Sequence, residues 1–293
     1  MAKLMSRTPD KRTFRLVHEQ ELTERDELKA RLELCETPER RETGMRALKA
    51  LLANIQNLNS CMDDDYLLSF LRVRKFDCDH AVTLIREHYS IRAQYPALFP
   101  SPSKLEPLLR NGFVNQLPYR DEEGRAIFVI KMSAWNTDVY SFWDVVASII
   151  LVTESTLNNP VSQVNGLIVI WDVGGYNMKH FFEMCSPKRL ALISALIQDF
   201  YPVRVKKVLG VNSPTLAKTV WKLIKSLVRE KLKNRVQLFG SDMSDLHQFL
   251  DPAILPQEYG GKLPSCDSDK TAQLVLDREE YFKYIRQFGY VSN

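Results

Sequence analysis

The sequence predicts an α/β domain on a mostly parallel sheet, preceded by a small all-helical domain, and three observations carry that prediction. IFVIKM (127–132) and GLIVIWDVGG (166–175) are short, β-rich, continuously apolar runs with turn signals at their edges, DEEGR before the first and Gly174-Gly175 closing the second. Runs of that kind suit strands covered on both faces, as in a parallel sheet. Between them SFWDVVASIILVTESTL (141–157) has the length and apolar density of a buried helix. The alternation continues with PKRLALISALIQDFYP (187–202) as a helix and VKKVLGVN (205–212) as a third strand. Strands and helices in alternation are the signature of an α/β layer.

Each remaining element follows in order. Residues 1 to about 60 are rich in both charge signs, with Leu22, Leu28 and Leu32 at near-helical spacing, and read as marginal surface helix, mobile at its start. The pattern firms from Met62 to Leu98. MDDDYLLSFLRVRKF opens with three acids at a helix start, and Tyr66, Leu67, Phe70 and Leu71 form its apolar stripe. Asp79 is placed to cap a second helix carrying Val82, Ile85 and Tyr89, which ends before Pro96. Beyond the third strand an amphipathic helix runs from Pro214; after Gly260-Gly261 and Pro264, SCDSDKTAQ reads as a linker and VLDREEYFKYIRQF as a short terminal helix. The expected division is a helical domain over 1–98, an α/β domain over 99–264 and a C-terminal segment over 265–293.

Bulk properties narrow the class. With 293 residues and 45% hydrophobic content the chain is long enough for one large core, or for a small domain beside a larger one. Its five cysteines are odd in number, widely spaced and never in a C-x-x-C pair, which argues against a disulfide framework or zinc site and for a reducing, cytoplasmic setting. The amino terminus has no apolar signal region and carries Ala2 where myristoylation requires glycine. The longest apolar run, Val145 to Val152 broken by Ser148, is bounded by Asp144 and Glu154. It is far short of the roughly 20 residues that span a bilayer, so any membrane contact is expected to be peripheral.

Charge is local. The chain is only +4, yet between Arg204 and Arg235 stand ten Lys or Arg and one acid, Glu230. On the helix that starts at Pro214, Lys218, Lys222, Lys225, Arg229 and Lys233 fall on one side and Leu216, Val220, Leu223, Ile224 and Leu227 on the other. Two readings fit: a surface helix with a solvated basic face, or a helix at the boundary between an apolar cavity and an anionic membrane. A sequence pI of about 8.7 does not imply nucleic acid.

Reactive constellations do not occur in the sequence. G-x-S-x-G, H-E-x-x-H and G-x-G-x-x-G are absent, and Gly261-Lys262 is followed by Leu263 where a P-loop needs Ser or Thr. The five histidines are scattered, and Asp63, Asp64 and Asp65 lack a calcium loop and read as charge at a helix N-terminus. The expectation is a binding protein rather than an enzyme, with no cofactor and no metal, whose apolar helices enclose a cavity closed by the amphipathic helix.

Over about Asp64 to Pro264 the chain resembles the CRAL-TRIO lipid-transfer family, in particular its tocopherol- and retinaldehyde-carrying branch. The motifs are FLRVRKFDCDHA and HYSIRAQYPALF in the helical part, NGLIVIWDVGGY at the core strand, QDFYPVRVKKVLGVNSP before the amphipathic helix, and ILPQEYGGKLP at the end. The resemblance implies a CRAL-TRIO lipid-binding domain with a parallel-sheet floor and a helical gate. It implies a carrier for a tocopherol, retinoid, carotenoid or similar isoprenoid, monomeric, without nucleic acid, acting at phosphoinositide-containing membranes. By motif position the cavity is expected to be lined by Phe113, Ile130, Val145, Val146, Thr153, Leu167, Trp171, Leu196, Ile197, Tyr201, Val208, Leu216, Val220, Leu223 and Leu227. The phosphoinositide cluster falls on Arg74, Arg204, Lys206, Lys231 and Arg235, bases suited to phosphate.

Departures from the branch carry their own implications. Ile149 and Thr153 stand where tocopherol carriers present two serines, so one polar handle is missing. Ile130, Val146 and Ala217 replace aromatic side chains and imply a cavity of different shape, while Lys206 replaces an arginine and loses its fork geometry. Phosphatidylinositol exchange, and an adaptor role in membrane trafficking, are the alternatives.

Overall fold

The computed structural model describes residues 14–196, 200–226 and 228–291, without the side chain of Lys231. A helical module comes first: α1 (Glu24–Leu34), α2 (Pro38–Ala53), the two-residue strand β1 (Leu58–Asn59), α3 (Asp64–Val73) and α4 (Cys78–Gln94). Leu67, Phe70 and Leu71 of α3 are fully buried and meet Leu48 and Leu52 of α2 and Leu84, Ile85 and Tyr89 of α4 in one apolar cluster. The predicted stripe of α3 is thus its packing face, and Asp64 and Asp65 sit in the first turn, where the helix dipole favours carboxylates.

Two local expectations in this module are corrected. The cap of α4 is Asp77, whose side chain accepts from the His80 N–H at 3.0 Å, and Asp79 lies inside the first turn. Leu28 and Leu32 of α1 are exposed; the buried face is Ala30 and Leu34, packed on Val164 with Leu22 beside them. The Leu spacing misled because α1 docks through Asp26, Ala30 and Leu34, a face other than the one that carries Leu28 and Leu32.

The α/β part follows as α5 (Glu106–Arg110), β2 (Val114–Gln116), β3 (Ala126–Lys131), α6 (Phe142–Leu157), α7 (Pro160–Asn165), β4 (Leu167–Asp172), α8 (Met178–Met184), α9 (Pro187–Ala195), β5 (Val205–Val211), α10 (Thr215–Lys225), α11 (Glu230–Lys233), β6 (Val236–Leu238) and α12 (Ser244–His247). The strands form one five-stranded sheet in the order β2-β3-β4-β5-β6, antiparallel only at β2–β3. Both faces are covered, which is why the strands read as unbroken apolar runs. Ile127, Val129, Ile168, Ile170, Leu209 and Val211 point to one side, into a core completed by Leu246, Leu250, Ile254, Leu255 and Tyr259. The alternate residues face α6 and the helices after β4. The Asp172 carboxylate pins the end of β4, accepting from the Gly174 N–H, the Asn212 amide and the Tyr259 hydroxyl at 3.0, 2.9 and 3.0 Å.

One irregularity shapes the site. Leu167 pairs with Val205 but Ile168 pairs with Lys207, so Lys206 is an extra residue on β5. This bulge breaks the period of two, and Val205 and Val208, three apart, come to face the same side. Gly166 immediately before it has φ +80°, and a Cβ there would lie 2.2 Å from the carbonyl oxygen of Arg204.

The chain closes with α13 (Ser268–Leu276), α14 (Glu279–Ile285) and β7 (Gly289–Tyr290). The expected linker is therefore mostly helix, started by Asp267, whose carboxylate accepts from the Lys270 N–H at 3.3 Å. This segment reaches back to the helical module: β7 pairs antiparallel with β1, and the Tyr284 hydroxyl bonds Asp63 at 3.2 Å. The amphipathic helix is also shorter than expected, ending at Lys225 and resuming at Glu230. No helix among the described residues is long and apolar enough to cross a membrane.

Candidate ligand cavity and its basic flank

Between the sheet and the helices lies a cavity of about 280 Å³. Its floor is the upper face of the sheet, Phe128 and Ile130 of β3, Leu167, Val169 and Trp171 of β4, Val205 and Val208 of β5. One side wall is α6, a helix apolar along most of its length, presenting Val145, Val146, Ile149, Ile150 and Thr153. The opposite wall is Met184 of α8, Ile193 of α9 with Leu196 after it, Trp221 and Ile224 of α10, then Val228 and Leu232. Among the described residues no charged side chain lines it, and polar atoms come from few residues, among them Thr153 and Tyr201. Burial pushes the Tyr201 phenol well above its ordinary pKa, with the Glu154 carboxylate adding to the effect, so the hydroxyl stays neutral.

Of the residues singled out in the sequence, Phe113, Ile130, Val145, Val146, Thr153, Leu167, Trp171, Leu196, Tyr201 and Val208 face this space. Ile197 and Leu227 lie outside the described residues. The gate face needs correction. Val220 is buried and Leu216 half-buried, but both pack in the wall without reaching the cavity, and Leu223 is 46% exposed. The cavity-facing side of α10 is Trp221 and Ile224, one residue further round, a rotation of about 100°. Sequence reasoning also missed Val169, two residues from both Leu167 and Trp171, which the period of a strand would have supplied.

The basic residues fall on the rim of the sheet. Arg204 and Lys206 both reach the Glu33 carboxylate of α1, at 2.5 and 3.0 Å, and Arg204 also donates to the Val164 carbonyl. Arg235 donates to the Val205 carbonyl at 2.5 Å. Burial lowers the pKa of Lys206 and of Arg235, and in each the Arg204 charge lowers it further, so the three cations share one patch. Burial alone would raise Glu33, but the hydrogen bonds and charges of Lys206 and Arg204 outweigh it and hold the carboxyl at about 2. Arg74 sits elsewhere in the chain, at the C-terminal cap of α3, and the Lys231 side chain lies outside the described residues. Glu33 had no signal in the sequence, since its role depends on where α1 docks.

A doubly covered, mostly parallel sheet with an apolar cavity walled by an amphipathic helix defines a class, and comparison identifies it. The chain matches the family described as "CRAL/TRIO domain" over residues 110–261, and it belongs to that family. It is 35% identical over 267 residues to the human alpha-tocopherol transfer protein-like protein, covering 89% of this chain and 77% of the relative. It is 31% identical over 256 residues to human clavesin-2, covering 86% of this chain and 78% of that protein. Among solved structures it is similar in fold to Sfh5, with a TM-score of 0.53 at 16% identity over 90% of this chain and 96% of that one.

Proposed function

We propose that this chain is a non-enzymatic carrier that binds one hydrophobic lipid in the apolar cavity and exchanges it at a membrane through α10. The observation that carries the reading is the cavity itself, whose walls offer a ligand apolar contact and, among the described residues, no charge. A tocopherol, retinoid, carotenoid or similar isoprenoid fits that chemistry. A phosphatidylinositol headgroup inside it does not, because no charged side chain among the described lining residues would hold a phosphate.

Membrane exchange draws on the outer surface of the same wall. Met178 and Phe182 of α8 are 51% and 70% exposed, Leu223 faces outward on α10, and Lys218, Lys222 and Lys225 are exposed on α10. Exposed aromatic and aliphatic side chains beside lysines suit a peripheral contact with an anionic bilayer. Arg74, Arg204, Lys206, Lys231 and Arg235 are proposed to bind phosphoinositide phosphates, and the carrier to act as a cytoplasmic monomer. The test is extraction of protein purified from its own tissue, with mass spectrometry of the lipid fraction. A stoichiometric isoprenoid-type lipid is expected, and a protein that carries none and takes up none from hydrophobic panels overturns the reading.

A further inference from the structure

Beside the apolar cavity lies a second, polar chamber of about 30 Å³, where α3, α4, α6 and α14 meet. It continues the same stripe of α6. Val146, Ile149, Ile150 and Thr153 line the large cavity, and Glu154 and Leu157, the next positions of that stripe, line the chamber. Tyr201 lines both, so its side chain is the partition.

Four polar atoms of the chamber have no hydrogen-bond partner among the described residues: Tyr66 Oη, His88 Nε2, Glu154 Oε2 and Tyr201 Oη. His88, Glu154 and Tyr201 are 2%, 7% and 8% exposed, so bulk water does not satisfy them. Other polar members of the lining are engaged, Ser69 with the Tyr66 carbonyl and Gln163 with Arg72 and the Leu157 carbonyl. Within the chamber the orphan atoms are thus those of Tyr66, His88, Glu154 and Tyr201. His88 Nδ1 lies 3.2 Å from the Phe200 carbonyl oxygen, which fixes the N–H on that nitrogen and leaves Nε2 as a bare acceptor. Burial, with the Arg92 charge, holds the imidazole neutral. The chamber thus offers acceptors at His88 and Glu154, and two phenols that either donate or accept.

The geometry points to the polar chamber as the seat of a single lipid hydroxyl, so that the ligand is an alcohol or phenol whose hydrocarbon body fills the apolar cavity and whose O–H passes Tyr201 to bond His88 Nε2 or Glu154. The chamber is small beside the apolar cavity, about 30 Å³ against about 280 Å³, and suits a small polar group at the end of a larger apolar ligand. The sign matches too: the Tyr201 phenol stands beside the Glu154 carboxylate, so the acceptor left without a donor is His88 Nε2, and a ligand hydroxyl brings one, whereas a carboxylate or phosphate would meet Glu154. Ordered water is the competing occupant.

This inference rests on the carrier reading and is tested with matched pairs: an isoprenoid alcohol, a retinoid alcohol and a chromanol, each beside its methyl ether. Binding is read from the emission of Trp135, Trp171 and Trp221, which line the large cavity. For at least one pair the wild type is expected to prefer the alcohol by about tenfold or more, because a site built around a hydroxyl rejects the analogue lacking it. His88→Phe, which keeps the ring but removes Nε2, and Glu154→Gln are each expected to narrow that ratio while ether affinity, the check on folding, stays at the wild-type level. Equal binding of alcohol and ether, or a ratio unchanged in both variants, means water alone fills the chamber and overturns the inference with the carrier intact. Binding of neither member of any pair overturns the carrier reading with it.

Discussion

The Glu33 carboxylate of α1 stands 2.5 Å from the guanidinium of Arg204, just before β5, and the same oxygen takes Lys206 of β5 at 3.0 Å. A side chain of the helical module thus occupies the position at which the cationic patch would receive a phosphate. Glu33→Gln keeps the shape and removes the charge. It is expected to strengthen binding to phosphoinositide vesicles severalfold and to cost about 1 kcal/mol or less in stability, the scale of a half-exposed ion pair. Vesicle co-sedimentation beside urea melts checks both, and unchanged binding shows that phosphates do not use this patch.

Removing the cations acts the other way. Arg204→Ala combined with Arg235→Ala is expected to weaken binding to the same vesicles about tenfold or more, since each base near an anionic surface contributes about 1 kcal/mol. Wild-type binding falls between 50 and 500 mM salt if the contact is electrostatic, as screening shortens to a few ångströms.

The rotation of α10 separates two substitutions of neighbouring residues. Ile224→Asp puts a carboxylate against the apolar cavity and is expected to reduce ligand retention at least tenfold, while Leu223→Asp, on the exposed side, leaves it near wild type. Retention in a gel-filtration assay decides. Equal loss in both would mean that the helix turns or unwinds on loading.

His88 makes stability depend on pH. Its folded pKa is lowered from 6.5 to about 3 by burial and by the Arg92 charge, so between those values the unfolded chain binds a proton that the folded chain refuses. Stability is full above about pH 6.5 and is lost as pH falls, by about 2 kcal/mol near pH 5 from this group alone. Glu154, raised by burial against the charges of Arg286 and Arg92, works in the opposite sense. Comparing urea midpoints of wild type and His88→Phe at pH 7.5 and 5.0 isolates the histidine, and parallel slopes would sink the assignment.

Gly166→Ala sets a methyl against the Arg204 carbonyl in a backbone conformation that side chains rarely adopt, and is expected to cost about 2–3 kcal/mol. Thermal melting reads it. A melt within a degree of wild type would mean that β4 and β5 separate there without penalty.

What the sequence made legible follows from how local the cause was. IFVIKM and LIVIWD announce their strands because both sheet faces bury side chains, and α6 announces itself because nearly every turn is apolar. The rotation of α10 was hidden because its apolar arc is wide: Val220 and Leu223 satisfy the same periodicity as Trp221 and Ile224, and only the docked neighbour chooses between them. The Lys206 bulge was hidden because register is set between strands. The polar chamber is assembled from α3, α4, α6 and α14, so Glu154 appears in sequence only as an acid closing an apolar run, while Tyr66 and His88 arrive from the far module.

The sheet's two-sided burial has a mechanical consequence. Ile168 and Ile170 are anchored in a second core beneath the floor, so lowering the floor to admit a bulkier ligand would open that core as well. The wall of α8, α9 and α10 has solvent behind it and yields more cheaply. Tolerance to ligand size is accordingly anisotropic: a molecule wider along the axis from α6 to α10 is accommodated by outward displacement of the α8–α10 wall, whereas one that presses down on the sheet meets a floor packed on its far side and is refused.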